Sequence, residues 1–201
     1  MTILTLVRHG ETDWNRDARI QGSTDIPLND TGRAQAREAG RRLAERAQDA
    51  PVVVVSSDMS RAAETADLIA EALGTTVAGR YPGLRERGYG EAEGLRSTDF
   101  HTRFGPWHSA EVPGAEAWPI VRQRALAALA EAVADARARV APAEPEVIAV
   151  AHGALIRQVI RAATDEQLPH DGERLPNGSA HTFRLSDDGS LELLSYVGAA
   201  A

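Results

Sequence analysis

At 201 residues, with 43% hydrophobic and 25% charged positions, the chain has the length and composition of one well-cored domain and not of an extensively disordered protein. A net charge of −7 disfavours nucleic acid or an acidic membrane as partner, and the lack of cysteine excludes disulfides, thiolate catalysis and cysteine metal sites. All 22 basic side chains are arginine, which rules out a Walker A loop and Schiff-base chemistry while leaving bidentate recognition of phosphate.

The first apolar run, residues 3–7, reads as a buried strand that ends in Arg8-His9-Gly10-Glu11-Thr12. Polar residues 13–28 read as a loop over that strand end. Asn29, Asp30 and Thr31 are N-cap candidates for a helix over about 32–46, with Ala36, Ala39, Leu43 and Ala47 on its apolar stripe. A second strand, 52–55, leads through Ser56-Ser57-Asp58-Met59-Ser60-Arg61 into a helix over about 58–73, with Gly74 suited to its C′ position. A short strand over 76–78 precedes a glycine-punctuated loop, Leu84 through Glu86 to Gly90.

Segment 95–119 carries Phe100, Phe104, Trp107, Trp118, His101 and His108, and reads as an irregular lid whose aromatic residues by default form a small core. A long alanine-rich helix over 116–140 is expected to be broken near its start by Pro119 and stopped by Pro142. A third buried strand, 147–151, ends at His152-Gly153 and leads into a helix over about 154–163. Strands 180–185 and 191–197 form a closing hairpin, whose edge offers pairing to a second copy of the chain. Residues 1–4 have no basic leader and no apolar stretch reaches the ~18 residues of a membrane span, so a cytoplasmic location is expected.

Ligands of open α/β sheets bind at the carboxyl ends of the strands, so three strand ends bearing arginine or histidine converge on an anion site. Alone, His9, Arg61 and His152 would read as structural or solvated residues; together they suit phosphoryl chemistry. Neutral His9 is a competent nucleophile, Arg8 and Arg61 can grip the oxygens, and His152 can act as a cationic donor. Gly10 allows the backbone approach a bound anion needs. The amides of Asn15 and Gln21 can reach the same oxygens. Glu86 can serve as acid and base; Glu11, Glu91 and Glu93 are rivals that spacing does not separate. No histidine or carboxylate spacing suits a metal.

The string from Leu6 to Asn15, LVRHGETDWN, closely resembles the signature of the histidine phosphatase superfamily, also called phosphoglycerate mutase-like. The resemblance continues through Gln21-Gly22, Ser56-Ser57 to Arg61, Leu84 to Gly90, Glu93-Gly94, Pro113-Gly114, Glu116 to Arg124 and Ala151-His152-Gly153. It implies an α/β three-layer sandwich with a mostly parallel central sheet, one domain over 1–201 with a lid at about 95–119, and no required metal or cofactor. It also implies that His9 accepts the phosphoryl group, that Arg8, Asn15, Arg61 and His152 form the phosphate pocket, and that Gln21, Gly22 and Gly153 line it. Glu86 becomes the proton donor.

The expected activity is metal-independent hydrolysis of a small phosphomonoester through a phosphohistidine. The alternative is a 2,3-bisphosphoglycerate-dependent phosphoglycerate mutase, which residues 84–90 also resemble; the compact 95–119 segment and the lack of lysine argue against it. A non-catalytic phosphate-binding module is disfavoured by intact His9, His152 and Glu86.

Overall fold

A computed structural model of the protein describes residues 1–46, 50–107, 110–170 and 172–198; Ala47 and His108 lie outside the described residues. Its sheet has the order β3-β2-β4-β1-β5-β6. The strands are β1 (Thr2–Arg8), β2 (Val52–Ser56), β3 (Val77–Arg80), β4 (Glu146–Ala151), β5 (Ala180–Leu185) and β6 (Leu191–Ser195). The first four are mutually parallel, while β5 runs antiparallel to β1, and β6 to β5.

The unbroken apolar runs of β1, β2 and β4 are explained by burial on both faces, as parallel strands require. Side chains alternate between two layers. Leu4, Leu6, Val53, Val55, Val147 and Ala149 pack with helices α5 (Trp118–Val140) and α6 (Gly153–Ala163). Val7, Val54, Ile148 and Val150 point the other way, onto α2 (Asp30–Arg46) and α3 (Ser60–Ala72). The result is the expected three-layer sandwich.

Four local readings are corrected. Residues 13–16, read as loop, form a one-turn helix, α1 (Asp13–Arg16), because Thr12 and Asn15 make a reciprocal capping box. The supposedly irregular segment 95–119 contains α4 (Ser97–Phe104), whose buried Phe100 stacks on Trp107 with ring centroids 3.8 Å apart and packs with Ile20 and Ala92. Pro119 begins α5 instead of breaking it, since a first-turn residue needs no N–H partner. The third strand lies at Val77–Arg80, later than 76–78.

Register levels the functional ends. Arg8 pairs with Ala151 and Ser56 with Val150, so His9, Ser57 and His152 emerge side by side; His9 N donates to Ala151 O at 3.0 Å, and Ser57 N to Val150 O at 2.9 Å. Gly10 serves a role beyond admitting an anion. A Cβ there would meet the Gly32 carbonyl oxygen at 2.2 Å, and a Cβ on Gly32 would meet Glu11 O at 2.0 Å, so the first turn of α2 crosses the chain after His9 in backbone contact.

Gly32→Ala should therefore destabilise the protein by about 1–3 kcal/mol, from the backbone shift that overpacking forces. Urea denaturation at neutral pH measures this; unchanged stability would mean that the crossing is not close.

Candidate active site

His9 is buried at the end of β1, and its Nδ1 lies 2.7 Å from the Gly10 carbonyl oxygen. That contact fixes the neutral tautomer with the proton on Nδ1 and the lone pair on Nε2. Burial, reinforced by the charges of Arg61 and Arg8, holds its pKa well below the usual 6.5. The His152 ring stands 5.1 Å away, centroid to centroid. Burial also pushes its pKa well down, helped by Arg61, His9 and Arg8. That shift favours the neutral imidazole in the free protein, and an arriving anion would favour the protonated, donating form.

Arg61 is fully buried in the first turn of α3. Its Nη1 donates to Thr24 O at 2.9 Å and its Nη2 to Gly22 O at 3.0 Å, while Asp25 Oδ1 stands 3.9 Å from Nη1. Arg8 Nη1 donates to the Leu175 carbonyl, and Gly153 lies so close that a Cβ would sit 3.3 Å from Arg8 Nε. Burial lowers the pKa of both guanidiniums, and the Glu86 carboxylate opposes that shift in both. Among the described residues, five buried side-chain N or O atoms have no hydrogen-bond partner; four of them are Arg8 Nε, Arg61 Nε and the two His152 nitrogens. Such orphans are rare in folded proteins, so their concentration beside His9 marks a candidate ligand site.

The structure separates the four carboxylates. Glu86 Oε1 accepts from Arg87 N at 2.9 Å and Leu155 N at 3.2 Å, and Oε2 from Ala154 N at 3.1 Å, so this carboxyl sits on the N-terminus of α6 beside His152. Glu93 is consumed structurally, accepting from the backbone and hydroxyls of Ser23 and Thr24 and from Tyr89 N. Glu91 pairs with Arg103, and Glu11 accepts from Asn29 Nδ2 at 3.0 Å.

Asn15 and Gln21 are both tied to Thr12. Thr12 N donates to Asn15 Oδ1 at 3.1 Å, and Thr12 Oγ1 to Gln21 Oε1 at 3.0 Å. Gly22, at φ +56°, presents the carbonyl that Arg61 grips, and a Cβ there would strike Glu93. Segment 173–177 escaped the sequence reading. Its Leu175 carbonyl holds Arg8, and Asn177 Nδ2 donates to His9 O at 2.9 Å. The sole sequence signal was the turn-forming Pro176-Asn177-Gly178, because backbone acceptors leave no mark in side-chain identity. Among the described residues no group of three or more histidines and carboxylates could hold a metal ion.

A family model for the histidine phosphatase superfamily (branch 1) matches residues 4–196. The chain belongs to that superfamily. It is 33% identical over 188 residues to an uncharacterized phosphatase, PhoE, of Bacillus subtilis (strain 168), covering 94% of this chain and 91% of that one. A metal-independent phosphoserine phosphatase of Arabidopsis thaliana is 31% identical over 196 residues, covering 93% and 78%. Among solved structures, a mycobacterial glucosyl-3-phosphoglycerate phosphatase in complex with VO3 superposes with a TM-score of 0.80 at 28% identity, covering 100% of each chain. The histidine phosphatase fold and phosphatase class thus follow from relatives as well as from geometry.

A third buried histidine, His181 on β5, accepts from Val197 N at 3.3 Å and pairs with Ser179 Oγ at 3.0 Å; burial pushes its pKa down to about 4. The unfolded chain binds more protons than the native one between that value and about 6.5, so stability falls as pH falls through this window. His181 accounts for about 3 kcal/mol of the loss by pH 4, with His9 and His152 adding in the same direction. Thermal midpoints measured from pH 7 to pH 4 should drop, and His181→Gln should flatten the dependence; an equally steep profile in the variant would refute the assignment.

Proposed function

We propose that the chain is a metal-independent phosphomonoesterase that works through a phosphohistidine on His9. The concentration of partnerless buried nitrogens, the Nε–H donors of Arg8 and Arg61 among them, beside the His9 Nε2 lone pair carries this reading. In the proposed reaction Nε2 attacks phosphorus as the ester P–O bond breaks. Arg8, Arg61 and His152 take up charge on the phosphoryl oxygens, with Asn15, Gln21 and the backbones of Gly22 and Gly153 lining the pocket. Glu86 delivers a proton to the departing alcohol; Oε2, with one N–H donor against two on Oε1, is the oxygen left to carry it. The same carboxylate then takes a proton from the water that splits the N–P bond, which releases phosphate and restores His9.

The substrate class is a small phosphorylated metabolite. Residues 1–201 act as one catalytic domain, with the segment around α4 as its lid. Among the described residues no helix is long and apolar enough to cross a membrane, and we place the activity in the cytoplasm.

Phosphate release from a panel of monoesters, with chelator present, tests the proposal. The wild type should turn over, and His9→Ala should lose on the order of 10⁴-fold or more while staying folded. Quenching the wild type in alkaline denaturant, which spares the acid-labile N–P bond, should trap the substrate's phosphorus label on His9. Metal dependence, or near-normal turnover by His9→Ala, would sink the mechanism. Interconversion of phosphoglycerates without net phosphate release would instead identify a mutase. Glu86→Gln should slow alkyl phosphates by about 10²–10⁴-fold and activated aryl phosphates far less, since only poor leaving groups need the proton. Equal losses on both would remove Glu86 from that role.

A further inference from the structure

Residues 85–88, which carry Glu86, lie outside any helix or strand, so the backbone of the proposed proton donor needs another support. Much of that support comes from one side chain. Arg124, on α5, donates from Nη1 to Gly83 O at 2.9 Å and Arg85 O at 2.6 Å, and from Nη2 to Glu86 O at 3.0 Å. Its remaining donors go to Glu116, from Nε to Oε1 at 2.7 Å and from Nη2 to Oε2 at 2.8 Å. All five N–H groups of the guanidinium are therefore used, three on the acid-bearing loop and two on a bidentate carboxylate that fixes the plane of the fork.

Glu116 closes the arrangement onto the far side of the loop. Its N–H donates to Gly88 O at 2.9 Å, its carbonyl accepts from Arg87 Nε at 2.8 Å, and its Oε2 lies 3.4 Å from Gly88 N. Glu86 thus hangs between two helices. Its backbone is held by α5 through Arg124, and its carboxyl by the first N–H groups of α6; both helices pack in the same core cluster.

We propose that Arg124, oriented by Glu116, is a positioning residue for proton transfer: it sets where the Glu86 carboxyl stands relative to the leaving oxygen without touching substrate. The inference rests on Glu86 as the proton donor. Lysine cannot replace this residue, because three donors on a flexible stem cannot hold three carbonyls and a planar carboxylate together. Loosening the loop by about 1 Å should cost about 10- to 100-fold in any step that needs the proton, and little where the leaving group departs unaided.

The test compares kcat/KM for an alkyl phosphate and for 4-nitrophenyl phosphate in wild type, Arg124→Lys, Glu116→Gln, Glu86→Gln and Glu86→Gln/Arg124→Lys. Arg124→Lys should lose about 10- to 100-fold on the alkyl ester and at most about threefold on the aryl ester. Glu116→Gln should show the same selectivity with a smaller loss, and it carries the test if Arg124→Lys does not fold. The double variant should be no more selective than Glu86→Gln alone, since the clamp acts only through that carboxyl. If Glu86→Gln is selective for poor leaving groups but Arg124→Lys and Glu116→Gln slow both esters equally, the clamp is only structural and the inference fails. If Glu86→Gln itself slows both equally, the assignment of the acid fails instead.

Discussion

Positive charge buried at the level ends of three parallel strands, with part of its hydrogen-bonding capacity unspent, is the constraint on which the rest of the structure depends. Arg61 is fully buried and Arg8 half-buried, at a site where carbonyl oxygens accept from Arg8 Nη1 and from both terminal nitrogens of Arg61, with Asp25 Oδ1 3.9 Å from Arg61 Nη1. The desolvation that lowers their pKa values is a cost carried by the folded protein, and unpaired Nε groups add to it. A bound phosphoryl group would offset both. Burial first, and then the same positive charges, push the pKa values of His9 and His152 down, which favours a free lone pair on His9 Nε2.

Holding such a site open requires rigid loops, and each is secured by a carboxylate or guanidinium used to capacity. Glu93 gathers the backbone and hydroxyls of Ser23 and Thr24, which aims the Gly22 and Thr24 carbonyls at Arg61. Arg124 does the corresponding work for residues 83–86. Arg87, whose guanidinium lies 4.8 Å from the Tyr89 ring centroid and 4.0 Å from that of Trp118, ties the start of α5 to the same loop. In the proposed reaction these contacts would preorganise the donors before substrate arrives, which is where electrostatic catalysis gains most.

Much of this was legible before the fold. The β-branched runs announced β1, β2 and β4, and the residues that follow them, Arg8-His9, Ser57 and His152, announced a shared strand-end site. The family signature carried His9, Arg61, His152 and Glu86 to their positions. Readings failed where a single local contact outweighs composition: the Thr12–Asn15 capping box turned a polar loop into α1, and Phe100 stacked on Trp107 ordered α4. Pro119 was misread because its effect depends on its place in the helix, which periodicity does not fix.

By itself, the sequence determined the order of the six strands and of the four longer helices, the burial of β1, β2 and β4, and an arginine-only cation set suited to phosphate, because periodicity and side-chain chemistry are local properties. Only the tertiary structure decided which of four glutamates stands at the α6 N-terminus, that Gly10 and Gly32 meet backbone to backbone, and that burial pushes the His152 pKa down. It also brought the 173–177 segment and Arg124 into the site's support. These depend on burial, on distances between residues far apart in the chain, and on backbone carbonyls that every residue possesses, so no pattern of side chains encodes them.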